Sequence, residues 1–272
     1  MLMRLQTILR LILLPVMGCM CSNLSAETLW AAGVSPTTGW HDINKSKTAG
    51  AQGDNGLCWA IAAANLIDWW QQQRTEPLPQ GTPTGAGVWQ VFRASFTNAG
   101  SDPDQAIRWW FTGEYTPMDP TGSAQLINPS AGGYYRDHAL TQGGDVTQRL
   151  LYFRRSDTVN AQNLAQALYE GFRRGDAFWI GVVYIRPDGN RYTHSLSVWG
   201  VDAETTPAGH PRISAIYMTD SDDGAHYLHR IPTRVEDGML IFDCDSHPLY
   251  GQIGRITINT YTGMRVQLPA MP

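Results

Sequence analysis

The sequence predicts an α+β protein of two lobes, helical in its N-terminal half and an antiparallel sheet in its C-terminal half. Three observations predict it. Helical patterns separated by loops recur up to Gly175, and strand patterns take over from Ala177. Pro187-Asp188-Gly189-Asn190 is a hairpin turn between two strand-like runs. The chain has 272 residues, 43% of them hydrophobic, enough to bury a large core without disulfide staples.

The first 26 residues have the layout of a secretory signal peptide. Arg4 and Arg10 precede an apolar run from Leu11 to Met17, and small Ser25 and Ala26 precede Glu27. The run is short for a membrane span. Lipoprotein processing at Cys19, after Gly18, is the second export reading, and Met17 suits it poorly. The expectation is therefore a leader over 1–26, a single domain over 27–272, and a secreted product without stable membrane insertion. Loss of Arg4 and Arg10 leaves 18 basic against 24 acidic side chains, a net charge of −6 where the full chain has −4. That balance argues against nucleic acid as the main partner. The leader also takes Cys19 and Cys21, so Cys58 and Cys244 remain. A Cys58–Cys244 bridge is the structural reading of that pair in an exported protein.

Residues 27–57 read as loop and turn. A helix runs from Cys58 to about Gln73, apolar nearly all round at its start and hence central and buried, with Glu76-Pro77 past its end. Shorter helices follow at Val88–Phe96 and Pro103–Phe111, then a long loop from Gly113 to about Asp145. A helix from about Asn160 to Arg173 is ended by Gly175. Strands are expected at Ala177–Ile185, Tyr192–Val201, Ile213–Thr219, His226–Ile231 and Ile256–Tyr261.

The chemistry starts at Cys58. A thiol in the first turn of a helix feels the positive end of the helix dipole, which favours the thiolate. Gly53 and Gly56 let the chain approach closely and leave N–H groups for an oxyanion. The competing reading is an inert Cys on an Ala-rich helix. The segment Gln52-Gly53-Asp54-Asn55-Gly56-Leu57-Cys58-Trp59-Ala60 resembles the papain motif, in which the Gln helps form the oxyanion hole; Gln52 holds that position. A thiolate protease needs an imidazole and a group that orients it. Among seven His, His194 stands on a predicted strand just after the hairpin. His226 and His229 would fall on opposite faces of a strand, with no third metal ligand nearby. Thr219-Asp220-Ser221-Asp222-Asp223-Gly224 ends the next strand, where a carboxylate reaches the imidazole; the alternatives are an acidic turn or a calcium loop, and the downstream Glu of a calcium loop is missing.

Four segments together resemble the streptococcal immunoglobulin G-degrading cysteine endopeptidases (the IdeS family). They are Gly39-Trp40-His41-Asp42-Ile43-Asn44-Lys45, Leu57-Cys58 with the helix ending in Trp69-Trp70, His194 through Asp202, and Ala215-Ile216-Tyr217-Met218-Thr219-Asp220-Ser221-Asp222. The resemblance implies a papain-like two-lobe fold with a central nucleophile helix. It implies Cys58 as nucleophile, His194 as base then acid, Asp220 as its orienter, Asp222 in support and Lys45 at the oxyanion. Two departures stand out: the loop between Lys45 and Cys58 is a few residues longer than the family's, and Gln52 is extra. Either Gln52 or Lys45, or both, serves the oxyanion.

The expected function is a secreted, cofactor-free cysteine endopeptidase acting on extracellular proteins, host immunoglobulin among the candidates. The alternatives are a Cys/His amidase or acyltransferase acting on cell-wall peptides, and a non-catalytic binding protein on a protease scaffold.

Overall fold

The computed structural model describes residues 26–50, 53–138, 146–154, 159–244 and 254–267. The proposed leader, apart from Ala26, and Gln52 lie outside these residues.

The first helix, α1 (Cys58–Gln72), is buried from Trp59 to Gln71. Its run of Ala60, Ala62, Ala63 and Ala64 gives high helix propensity and lets neighbours approach closely. Helices α2 (Ala86–Ser95) and α3 (Pro103–Thr112) pack on it. Asp102 caps α3 by accepting from the Asp104 N–H, Pro103 opens its first turn, and Gly113 stops it at φ 81°, a left-handed conformation that favours glycine. The seam between these helices is aromatic. Phe96 meets the Trp109 ring edge-on at 4.8 Å, and Trp70 meets Phe111 at 5.2 Å. Such fully buried rings are worth roughly 1.5–3 kcal/mol each from burial alone.

The strands are β1 (Ala26–Trp30), β2 (Leu151–Arg154), β3 (Ala177–Ile185), β4 (Arg191–Thr205), β5 (Pro211–Thr219), β6 (His229–Glu236), β7 (Met239–Phe242) and β8 (Arg255–Met264). A short helix α4 (Val146–Leu150) leads into β2, and α5 (Ala161–Arg174) precedes β3. Asn160 caps α5 by accepting from the Asn163 N–H, and Gly175 ends it at φ 82°.

The papain-like plan of a helical lobe beside an open sheet lobe is overturned here. Strands β3 to β8 close into a six-stranded antiparallel barrel, in the cyclic order β4–β3–β8–β7–β6–β5 and back to β4. The reason lies in β4. Its first half pairs with β3, from Ile185↔Arg191 to Phe178↔Val198, while its far half pairs with β5, from Ser197↔Thr219 to Thr205↔Pro211. Register shifts at Val198/Gly200 and Asp202/Ala203 mark bulges, which bend and twist a strand enough to curl a sheet. The ring is completed where Ile241 of β7 meets Thr257 of β8. Outside the ring, β1 pairs with the end of β4 and β2 with the end of β8.

The helices are therefore a layer on the barrel rather than a separate lobe. Helix α1 lies against β4 and β3, and α5 covers β5, β4 and β1. Two polar contacts fix α1 in place: Asn65 Nδ2 donates to Ser197 Oγ at 3.1 Å, and the Trp69 indole N–H donates to the Ala32 carbonyl at 2.9 Å. Cys58 and Cys244 are both free thiols, so the bridge between them is absent. Among the described residues, no helix is long and apolar enough to cross a membrane.

Candidate active site

Cys58 is the first residue of α1. No side chain caps that end, and its first turn holds no acidic residue. The first N–H groups and the positive pole of the helix are thus left to the thiol and whatever binds beside it. The turn before the helix is built by Asp54. Its carboxylate accepts from the Ser46 N–H at 2.7 Å, the Ser46 hydroxyl at 2.7 Å and the Thr48 N–H at 3.1 Å. Burial opposes its charge, but these donors hold it below the usual carboxylate range. Asn98 then accepts from the Gly56 N–H at 2.7 Å. Gly53 sits against the Thr48 carbonyl where no Cβ fits.

Opposite stands His194, buried on β4 across from Val182. Its Nε2–H donates to Asp220 Oδ1 at 2.7 Å, which leaves Nδ1 for the thiol. Asp220 is buried immediately after β5, the strand next to β4, and the same oxygen accepts the Asp222 N–H at 2.8 Å. Burial works against a charged His194, yet the Asp220 charge and hydrogen bond, then the Cys58 partner, carry its pKa from 6.5 up to about 10. Burial likewise works against a Cys58 thiolate. The hydrogen bond and charge of His194, the Lys45 charge and the Ser195 N–H together bring the thiol below its usual value. Both directions favour a thiolate–imidazolium pair.

Lys45 is buried, donates from Nζ to the Asn55 carbonyl at 2.9 Å and pairs with Asp222 Oδ1 at 2.7 Å. Asp222 Oδ2 lies 3.7 Å from His194 Nδ1. Asp222 therefore ties the ammonium to the imidazole edge. His194, Asp220 and Asp222 bring three metal-ligand atoms within 4.8 Å of one another. Their carboxylates are already matched by His194 and Lys45, which weakens that set as a cation site.

These groups sit in a cleft of about 970 Å³ between helix layer and barrel rim. Gly56, Cys58 and Ser101 line the helical side, and Gly181, His194 and Asn259 the barrel side.

A family model described as Mac 1 matches residues 23–82. The Mac 1 match, well under half of the chain, includes Lys45 and Cys58 but stops short of His194, Asp220 and Asp222. It is also not the family named on resemblance: the description found is Mac 1, not the immunoglobulin G-degrading endopeptidases, and that recognition is corrected accordingly. No curated protein matches the chain.

Of the residues expected from sequence, Cys58, His194, Asp220, Asp222 and Lys45 converge on the cleft, and Gln52 lies outside the described residues. Sequence reasoning missed Ser195, which acts through its backbone N–H and so carries no residue-type signal. It also missed Asn98 and Asn44. Asn44 Nδ2 donates to the Ala225 carbonyl at 2.6 Å and its Oδ1 accepts the Gly224 N–H at 3.0 Å, holding the acidic loop.

Proposed function

We propose that this chain is a cysteine endopeptidase that cleaves peptide bonds in polypeptides. The observation that carries the reading is the unbroken chain Cys58–His194–Asp220 at the floor of a large cleft, with Cys58 lowered and His194 raised. In the proposed cycle the Cys58 thiolate attacks the scissile carbonyl carbon. The Cys58 N–H and the Lys45 ammonium stabilise the oxyanion that forms. His194 gives its proton to the leaving amine as the carbon–nitrogen bond breaks, leaving a thioester on Cys58. His194 then takes a proton from water, whose oxygen attacks the thioester and releases the acid and the thiolate. Asp220 holds the imidazole throughout. Each step uses only these side chains and water. The positively charged, apolar start of the sequence supports action after export.

The test is N-terminal profiling of an unfolded protein mixture after incubation with the mature protein or with Cys58→Ala. New N-termini with the wild type alone are the expected result. Identical profiles for the two proteins would sink the proposal. Turnover confined to small amides would move the activity to an amidase.

A further inference from the structure

Asn259 stands on β8 at an irregularity in the barrel wall. Gly181 of β3 faces Thr260, but the next residue, Val182, faces Ile258, so Asn259 has no partner across the ladder. This is a bulge, a device that re-aims one side chain and is common beside active sites. The bulge is compatible with this sequence because residue 181 is glycine. A Cβ there would run into Thr260 Cγ2 and would stand 3.1 Å from Asn259 Oδ1. The side chains of Asn259 and Thr260 thus fold over β3 in the space that the missing Cβ leaves.

Asn259 is exposed, lines the cleft that holds Cys58 and His194, and makes no side-chain hydrogen bond among the described residues. A carboxamide offers two donors and an acceptor in one plane. That set can accept the N–H and donate to the C=O that one residue of an extended chain turns to the same side. The nearby Gly181, Val182 and Thr260, which also line the cleft, bring no charge, so recognition of a charged side chain at this point is not supported.

We infer that Asn259 is a substrate-positioning residue that pairs through its carboxamide with the main-chain N–H and C=O of one residue of an extended polypeptide lying in the cleft. The inference rests on the endopeptidase reading and adds the group that grips the substrate backbone.

The experiment uses the mature protein and fluorogenic peptides built around a cleavage site found by profiling. Asn259→Ala and Asn259→Asp are compared with wild type for kcat and KM, and for the rate at which iodoacetamide alkylates Cys58. Iodoacetamide is small and reports the Cys58–His194 pair without a substrate backbone. Asn259→Asp loses the donated hydrogen bond and should raise KM about five- to tenfold, and Asn259→Ala loses both and should raise it at least as much, with kcat within about twofold and alkylation unchanged. An unchanged KM in Asn259→Ala would overturn the inference. So would a fall in alkylation that matches the fall in kcat/KM, because Asn259 would then only support the fold. If the wild type cleaves no peptide that Cys58→Ala leaves intact, the endopeptidase reading fails first and takes this inference with it.

Discussion

Replacing Asp220 with asparagine tests the electrostatics on which the site depends. His194 is lifted from 6.5 to about 10, although its burial pulls the other way. At about 1.4 kcal/mol per pK unit, the protonated ring gains on the order of 5 kcal/mol inside the fold. Asp220 supplies the leading share and Cys58 the rest. If the carboxamide of the Asp220→Asn variant keeps the geometry but loses the charge, roughly 2–3 kcal/mol disappears, a factor of about thirty to a hundred and sixty in the thiolate–imidazolium population. The assay is the pH dependence of Cys58 alkylation by iodoacetamide, followed alongside ultraviolet thiolate absorbance. In the variant the acid limb should move up, because the thiolate loses part of its partner's charge. The alkaline limb should move down from near pH 10, because the imidazolium deprotonates sooner. Stability should follow the same sign. A histidine whose pKa is raised by folding contributes fully below about pH 6.5 and loses that contribution as pH climbs through about 10. The variant's deficit should therefore be largest at low pH and vanish above about pH 10. Superposable alkylation profiles would refute the account, since they would mean that Asp220 does not sustain the charge on His194.

Lys45→Met should slow Cys58 alkylation at neutral pH and lower kcat by about ten- to a hundredfold while KM changes little, as expected for a cation aimed at the oxyanion; stopped-flow kinetics on a cleaved peptide measures this. Asp42 is buried beside Asp223 and Asp220, and burial lifts its carboxyl to about 7 despite the Tyr227 N–H that donates to it. Its contribution to stability is thus present below about pH 4 and lost as pH rises through about 7, so Asp42→Asn should gain in melting temperature over wild type between those values and level off above; a constant difference across pH would contradict this. Mild alkylation of the native protein should label partly exposed Cys58 and spare Cys244, which is 3% exposed; peptide mapping by mass spectrometry reads the ratio.

The local signals in the sequence carried far, and the long-range ones did not. The start of α1 at Cys58 and both ends of β3 came out as expected, because helix periodicity, Gly113, Gly175 and the Pro187–Asn190 turn act within a few residues. Strand β1 was invisible. Ala26–Trp30 is short, lies in a turn-rich stretch, and owes its conformation to Gly200–Glu204 at the far end of β4. Closure of the barrel was invisible for the same reason. Five of the six ring strands have a pattern of their own, β7 (Met239–Phe242) was not expected, and nothing in β4 announces that its two halves serve β3 and β5 in turn. Cys58, His194 and Asp220 could be singled out from residue type, and the structure brings them into one cleft. Ser195 and Asn259 could not: one meets Cys58 through its backbone, and the other is aimed by a bulge that shows only in the pairing.

The segment His41–Lys45 explains how a barrel can hold the proposed triad. A triad needs its third member held to a fraction of an ångström, yet Asp220 sits where β5 gives way to a loop. Strand pairing cannot hold it there, and the segment takes over. Thr219 donates its hydroxyl to the His41 carbonyl at 2.8 Å, the Lys45 N–H donates to the Ser221 carbonyl at 2.9 Å, Asn44 grips Gly224 and Ala225, and Asp42 accepts from Tyr227. These ties run from the end of β5 to the approach to β6, and between them stand Asp220, Asp222 and Asp223. The segment ends on Lys45, whose ammonium enters the cleft and whose neighbour Ser46 binds Asp54 in the turn that opens α1. A single short stretch ahead of the Cys58 turn thus sets the distance between α1 and the acidic loop. Its motif carries little chemistry of its own apart from Lys45. The requirement it meets is geometric: it joins a helix layer and a barrel rim that the chain order places far apart.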